Sequence, residues 1–233
     1  MDIPVLSCEG LCKNYGPTPV IKNLNLALNV GETVGLLGPS GSGKTTLIKL
    51  ISGLLVPTAG KIEICGLAPS ADTRALISLL PDRSALPLEM NAEELVTLYT
   101  RMFADFDREK AEALLRDLRV STVKKMKALS KGTREKIGLI LTMSRRARLY
   151  LLDEPFGSAE PAARDYALKT VLSSRAPGST VLFSTHLINE VKDHLDAFFF
   201  LSEGRIVASG SVSAYEAECG TTLDEAFRRA FQC

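Results

Sequence analysis

The 233-residue chain lacks any excess of charge: 28 Lys and Arg stand against 27 Asp and Glu, a formal +1. A balanced chain generates no long-range field toward nucleic acid or anionic lipid, which leaves only local patches. A paired cysteine pattern is missing too. Cys8, Cys12, Cys65, Cys219 and Cys233 form no CxxC, and an odd, scattered set reads as reduced cytosolic thiols rather than a disulfide framework. A zinc site at Cys8 and Cys12 would need a second ligand pair, and none follows. The N-terminus has neither the basic flank nor the apolar run of a signal peptide. No stretch approaches the about 20 apolar residues of a membrane-spanning helix, and the longest candidate, residues 197–201, is strand-sized. Were the protein to act in transport, another chain or domain would have to supply the pore. Internal repeats, low-complexity tracts and a long coiled coil are also absent, and the length suits one α/β core.

What is present is ordered. Residues 5–28 alternate, with Leu24, Leu26 and Leu28 set against Asn23, Asn25 and Asn29, which predicts antiparallel strands with one solvated face. Residues 33–37 are nearly all apolar and run into a glycine-rich stretch. Residues 45–55 then place Leu47, Ile48, Leu50, Ile51 and Leu54 at helical spacing, ending near Gly53 and Pro57. Asn91 followed by Glu94 has the form of a helix N-cap with a carboxylate three residues on, and a second helix is predicted at about residues 108–118. From about residue 85 to 143 no clear strand appears, so this section reads as an inserted helical lobe. Residues 149–152 and 181–184 are short apolar runs of the kind found in strands buried on both faces. Strands alternating with helices imply a parallel, right-handed α/β core. Arg145, Arg146 and Arg148 cluster at an expected helix C-terminus, where the dipole favours them. In the tail from about residue 211, Leu223, Ala226, Phe227 and Phe231 form an amphipathic pattern, read as a docking helix.

Gly38-Pro39-Ser40-Gly41-Ser42-Gly43-Lys44-Thr45 matches the phosphate-binding pattern GxxxxGK[ST], between an apolar strand and a helix as that pattern requires. The glycines allow main-chain N–H groups to turn inward around phosphate oxygens, and the following helix adds the positive end of its dipole. A chance match in a chain of this glycine content has odds of about one in a hundred. Lys44 would neutralise the β- and γ-phosphates of ATP, and the Thr45 hydroxyl would coordinate Mg²⁺. Asp153 and Glu154 end the apolar run 149–152, at the strand end where ligands bind in parallel sheets. Asp153 would hold Mg²⁺ through water, and Glu154 would polarise the attacking water.

Two further segments give the chain a family likeness. Leu129-Ser130-Lys131-Gly132-Thr133, just before a predicted helix, resembles the LSGGQ signature of ABC-type ATPases, and Phe183-Ser184-Thr185-His186 resembles their switch-histidine segment. Taken alone, Ser130 would read as a helix N-cap and His186 as a structural histidine; their order after the P-loop and around the acidic strand carries the likeness. It covers residues 6–210 and is greatest to the motor subunits of bacterial multidrug and antibiotic exporters. The resemblance implies one ABC-type α/β domain with a parallel P-loop core, an N-terminal antiparallel β subdomain and the helical lobe. It also implies a head-to-tail dimer, with a second copy or a related subunit. ATP would lie between one subunit's residues 38–46, Thr46 included, and the other's Ser130 and Gly132. Glu154 and His186 would act on the γ-phosphate end. Tyr15 stands where the family stacks an aromatic on adenine, a core tyrosine being the alternative. Residues 155–161 resemble the loop that crosses the dimer interface. Two positions depart from the family pattern: Asp82 replaces a glutamine that reaches Mg²⁺ and the attacking water, and Glu160 replaces an aspartate in that loop. The implied setting is the inner face of the membrane, attached through a transmembrane permease, with no nucleic acid as partner. Rival readings are a soluble ATPase acting on nucleic acid or ribosomes, a small-molecule kinase, and a subunit that binds ATP without turning it over.

Overall fold

The computed structural model describes residues 3–83, 85–155 and 161–231. Strands β1 (Leu6–Tyr15) and β2 (Thr18–Leu28) form an antiparallel hairpin. Leu24, Leu26 and Leu28 point inward while Asn23 and Asn25 face solvent, as the alternation predicts. A bulge at Asn23, with φ of 51°, lets Ile21 be buried three residues before Leu24. After β3 (Thr33–Leu37) and helix α1 (Lys44–Ile51), β4 (Ala59–Ile64) pairs with the other edge of β1 and completes a three-stranded sheet, β2-β1-β4. Helix α1 is shorter than its apolar spacing suggests. Gly53 turns with φ of 73°, and the amides of Leu54 and Leu55 both donate to the Lys49 carbonyl, which ends the helix.

A second sheet runs in the order β5-β6-β7-β3-β8-β9. Helix α2 (Ala71–Ala75) precedes β5 (Ile77–Leu80), and helices α3 (Ala92–Met102), α4 (Arg108–Asp117) and α5 (Lys131–Met143) separate β5 from β6 (Leu149–Asp153). Then come α6 (Pro161–Ser174), β7 (Thr180–Thr185), α7 (Ile188–Val191), β8 (Ala197–Ser202), β9 (Arg205–Ser211), α8 (Val212–Cys219) and α9 (Leu223–Phe231). All neighbours in this sheet are parallel except β8 and β9. Every residue of β3, β6 and β7 is buried, because successive side chains serve opposite faces. Leu149 and Leu151 pack with Leu47, Ile48 and Ile51 of α1; Tyr150 and Leu152 pack on the other face with Leu168 and Val171 of α6. A third apolar cluster joins Leu95 and Val96 of α3, Leu115 of α4 and Ile137 of α5 with Phe106 and Met126 from the segments between those helices.

The capping signals are realised. Asn91 Oδ1 accepts from the Glu94 amide at 2.9 Å while a Glu94 carboxylate oxygen accepts from the Asn91 amide at 2.8 Å. The C-terminal apolar pattern docks within the chain itself: Phe227 and Phe231 of α9 pack against Phe200 of β8, with ring centroids 5.5 and 5.8 Å away. The arginine cluster does more than face a helix dipole. Helix α5 stops at Met143, and Arg145 is buried, donating to Asp105 Oδ1 at 3.0 Å and to the carbonyls of Ile77 and Ala75 at 2.6 and 2.7 Å. It thereby ties α5 to the start of β5. Cys8 is buried and its thiol is pushed up to about 12 by desolvation, which keeps it protonated at neutral pH. The proposed interface segment falls mostly on residues 156–160, so Glu160 lies outside the described residues.

Asp107 caps α4. Its Oδ1 accepts from the Lys110 amide at 3.0 Å and its Oδ2 from Arg146 Nη2 at 3.0 Å, and these bonds, the amide first, hold its carboxyl below the ordinary 3.8. With the folded value depressed, the unfolded chain binds more protons, so this stabilisation is present above the ordinary value and fades as pH falls through the folded one. Asp107→Ala is expected to cost about 1 kcal/mol at neutral pH. Denaturant melts should show that difference shrinking as pH falls below the ordinary 3.8; a difference that stays constant with pH would contradict the charged cap.

Candidate functional site

Strand order decides what meets. Strand β7 lies between β6 and β3, with Asp153 beside Ser184 and Leu37 beside Thr185, so the residues that follow three parallel strands emerge side by side. In parallel sheets the carboxyl edge is where ligands bind. From β3 comes the glycine loop. Gly38 is required by close approach, since a Cβ there would sit 2.2 Å from the Leu201 carbonyl oxygen; Gly43 has φ of 111° and stands as the N-cap of α1. Helices α3 and α4 close their first turns with a capping side chain and carry acids there. Helix α1 has neither, so its leading amides remain available to an anion.

Lys44 is 6% exposed, and its ammonium donates to the carbonyls of Gly38 at 2.8 Å and Pro39 at 3.2 Å. It also pairs with Glu154 Oε1 at 3.4 Å. Glu154 in turn contacts His186 Nδ1 at 3.1 Å. Glu154 holds φ of 49°, a left-handed backbone that costs an L-residue energy and favours glycine; the carboxylate is kept there regardless. Ser184, fully buried, organises both acids. Its hydroxyl donates to Asp153 Oδ1 at 2.5 Å and accepts from the Glu154 amide at 3.1 Å. Thr185 Oγ1 accepts from the Leu187 amide at 3.0 Å, turning the chain where His186 projects.

A cavity of about 460 Å³ is lined by Ser40, Gly41, Gly43, Lys44, Thr45 and Thr46 from the loop and α1, joined by Glu154 and His186. Asp82, Val20 and Lys131 complete its walls. A second cavity of about 330 Å³ brings together Thr45, Asp82 and Asp153, the three residues expected at the metal. Burial pushes the Asp153 carboxyl above its ordinary range, opposed by hydrogen bonds from Ser184 and Thr45 and reinforced by the charges of Asp82 and Glu154. Such a desolvated carboxylate is a natural partner for a cation. Two carboxylates and a hydroxyl form a sparse, all-oxygen set. That suits Mg²⁺, which keeps waters and takes its remaining ligands from phosphate. The loop itself holds a buried hydroxyl, Ser42 Oγ, with no hydrogen-bond partner, an unmet polar group in the segment that would close around an oxyanion.

Gly38, Pro39 and Ser42 belong to the loop without lining the larger cavity, and three expected residues from outside the loop stand elsewhere. Tyr15 ends β1 and is 49% exposed, with the Lys13 ammonium 5.4 Å from its ring centroid, so it is not a core tyrosine and it does not line the cavity. Ser130 caps α5, its Oγ accepting from the Thr133 amide at 3.2 Å, and Gly132 faces open space. Neither lines the P-loop cavity of its own chain. Ser184 as hub and Lys131 as wall were not singled out from sequence. Both sit inside segments that were, but a linear string carries no information on which way a side chain points.

The family profile described as ABC transporter matches residues 21–157. An ABC transporter ATP-binding protein of Bacillus subtilis is 32% identical over 220 residues, covering 90% of this chain and 70% of that one. The daunorubicin resistance ATP-binding protein of Streptomyces coeruleorubidus is 31% identical over 236 residues, covering 97% and 75%. Among solved structures, the ATP-binding subunit of an ABC transporter superposes with a TM-score of 0.85 at 29% identity, covering 95% of this chain and 97% of the other.

Proposed function

The chain belongs to the ABC transporter family of ATP-binding, ATP-hydrolysing subunits, and from that premise we propose that it drives a membrane exporter whose pore is a separate transmembrane permease. Among the described residues no helix is long and apolar enough to cross a membrane. The observation that carries the reading is the meeting of Lys44, Glu154 and His186, each after a different strand, at distances of 3.4 and 3.1 Å in one cavity. The export direction draws on the relatives, one of which is named for daunorubicin resistance.

In this reading residues 1–233 form one ATP-binding unit. Residues 38–46 hold the triphosphate, with Lys44 exchanging its carbonyl and Glu154 contacts for phosphate oxygens. Thr45, Asp82 and Asp153 would hold Mg²⁺, which when bound offsets phosphate charge. Glu154 takes a proton from the attacking water, and His186 steadies Glu154 and the γ-phosphate end. Tyr15 stacks on adenine from the exposed hairpin end. Ser130 and Gly132 complete the site of a second ATP-binding subunit, the same chain or a related one. Closing two such sites around ATP and reopening them on hydrolysis moves rigid bodies against each other. The helical lobe at about 85–143 passes that motion to the permease, which places the protein on the inner face of the membrane. Asp82 supports turnover over a merely regulatory role, because it lines the same cavity as Thr45 and Asp153 despite being shorter than glutamine.

Purification of the tagged chain from its own membranes is the test. A transmembrane protein should copurify, and ATP turnover should be higher in that complex than in the chain alone. Recovery of nucleic acid or ribosomes with no membrane protein would favour the soluble-ATPase reading instead.

A further inference from the structure

We propose that Phe227, in the C-terminal helix α9, is a positioning residue for ATP hydrolysis: it holds the short segment after β7 from which His186 reaches Glu154. The inference rests on the role given to His186 above and adds a support that no motif in the sequence marks. Residues 186–191 have little means of holding themselves. Strand β7 ends at Thr185, and α7 has four residues and an N-cap, Leu187, with no side-chain cap bond. That is far below the roughly 12–15 residues an isolated helix needs in water, so burial sets its place. Ile188 and Val191 are 4% and 1% exposed, and they share one apolar cluster with Leu223, Ala226 and Phe227 of α9, which packs directly on α7.

Helix α9, by contrast, is fixed from elsewhere. The Thr222 hydroxyl accepts from the Glu225 amide at 3.3 Å while Glu225 Oε2 accepts from the Thr222 amide at 3.2 Å, and the Leu223 amide donates to Glu216 Oε1 at 2.8 Å. The Phe227 ring stands edge-on to Phe200, whose strand neighbour Leu37 is the last residue of β3 before the glycine loop. Phe227 therefore ties the histidine segment to the strand pair that carries the phosphate loop. A separate cavity of about 290 Å³ lies between residues 186–189 on one wall and Asp224, Phe227 and Arg228 on the other. Arg228 pairs with Asp224 at 2.8 Å within α9, so the charge on that wall is already matched and the Phe227 ring is left as the packing group. Shortening that ring would widen the gap and free residues 186–189 to settle toward α9. His186 Nδ1 lies 3.1 Å from Glu154 Oε2, and a shift of about 1 Å would break that contact.

The experiment measures ATP affinity and single-turnover hydrolysis in the full chain for Phe227→Ala, His186→Ala and the double variant, at a temperature where melts show each to be folded. Phe227→Ala should slow hydrolysis roughly tenfold with ATP affinity within about twofold of the unaltered chain, the pattern of an interaction that matters in the transition state and not in nucleotide binding. Phe227→Leu, which still fills much of the space, should retain most of the rate. In the His186→Ala background Phe227→Ala should cause no further loss, because a support acting through the histidine has nothing left to position. Should the alanine variant not fold, Phe227→Val removes less volume and serves the same comparison, with a smaller loss expected. An equal fractional loss in both backgrounds, or a fall in ATP affinity that matches the fall in rate, marks α9 as merely structural and overturns the assignment. An unchanged rate in folded Phe227→Ala overturns it too. A full rate in His186→Ala alone overturns the role of His186, and this inference with it.

Discussion

Glu154→Gln is expected to lower ATP turnover by about a thousandfold, within the range found when a positioned general base is removed, and to accumulate an ATP-bound dimer. The substitution keeps the side-chain shape and an oxygen toward Lys44, whose Nζ lies 3.4 Å from Glu154 Oε1. It also keeps the Glu154 amide in its bonds to the Ser184 hydroxyl and carbonyl, at 3.1 and 3.0 Å, and demands nothing new of a backbone at φ of 49°. What it removes is the carboxylate that can accept a proton from water. Binding should survive while hydrolysis fails, so the closed state persists. Phosphate release and size-exclusion chromatography with Mg·ATP would read the two effects. Turnover within tenfold of the unaltered protein, or a variant that stays monomeric with ATP, would contradict the assignment of Glu154.

Lys44→Ala should weaken ATP by about a hundredfold or more, since a charge-assisted contact to phosphate is lost from a buried position. The ligand-free variant should itself melt lower. Its truncation leaves the Gly38 and Pro39 carbonyls without their donor and Glu154 without its cation, a loss of about 1–3 kcal/mol. Binding must therefore be read as the rise in stability on adding Mg·ATP, which for the unaltered chain reaches about 2.7 kcal/mol at a hundredfold excess over Kd. That increment should nearly vanish in Lys44→Ala at the same nucleotide concentration. A variant with an undiminished increment would show that the nucleotide does not depend on this lysine.

The resting arrangement joins these two predictions. With Lys44 held by Glu154, and Glu154 by His186, each of the three charged or titratable groups is partnered in the cavity before any nucleotide enters. In the proposed reading, arrival of phosphate would redirect the lysine and leave the carboxylate to His186 and water. The unusual backbone at Glu154 is kept by its neighbours: two bonds from its amide to Ser184 hold a conformation that local preference would not choose.

Much of this was legible in the chain because it obeys short-range rules. The glycine string 38–43 is dictated by close approach and positive φ, the capping pair Asn91 and Glu94 by unsatisfied helix amides, and strands β3, β6 and β7 by unbroken apolar runs. Each constraint acts within a few residues, so the local string contains it. Four features required the assembled molecule: β7 seated between β6 and β3, Ser184 bonded to both acids, Arg145 drawn inward onto β5, and Lys131 turned to the P-loop cavity. They join residues far apart in the chain, and their energies come from pairing, burial and side-chain direction. Local composition is the same for a serine that organises two carboxylates and one that merely caps a turn; only packing tells them apart.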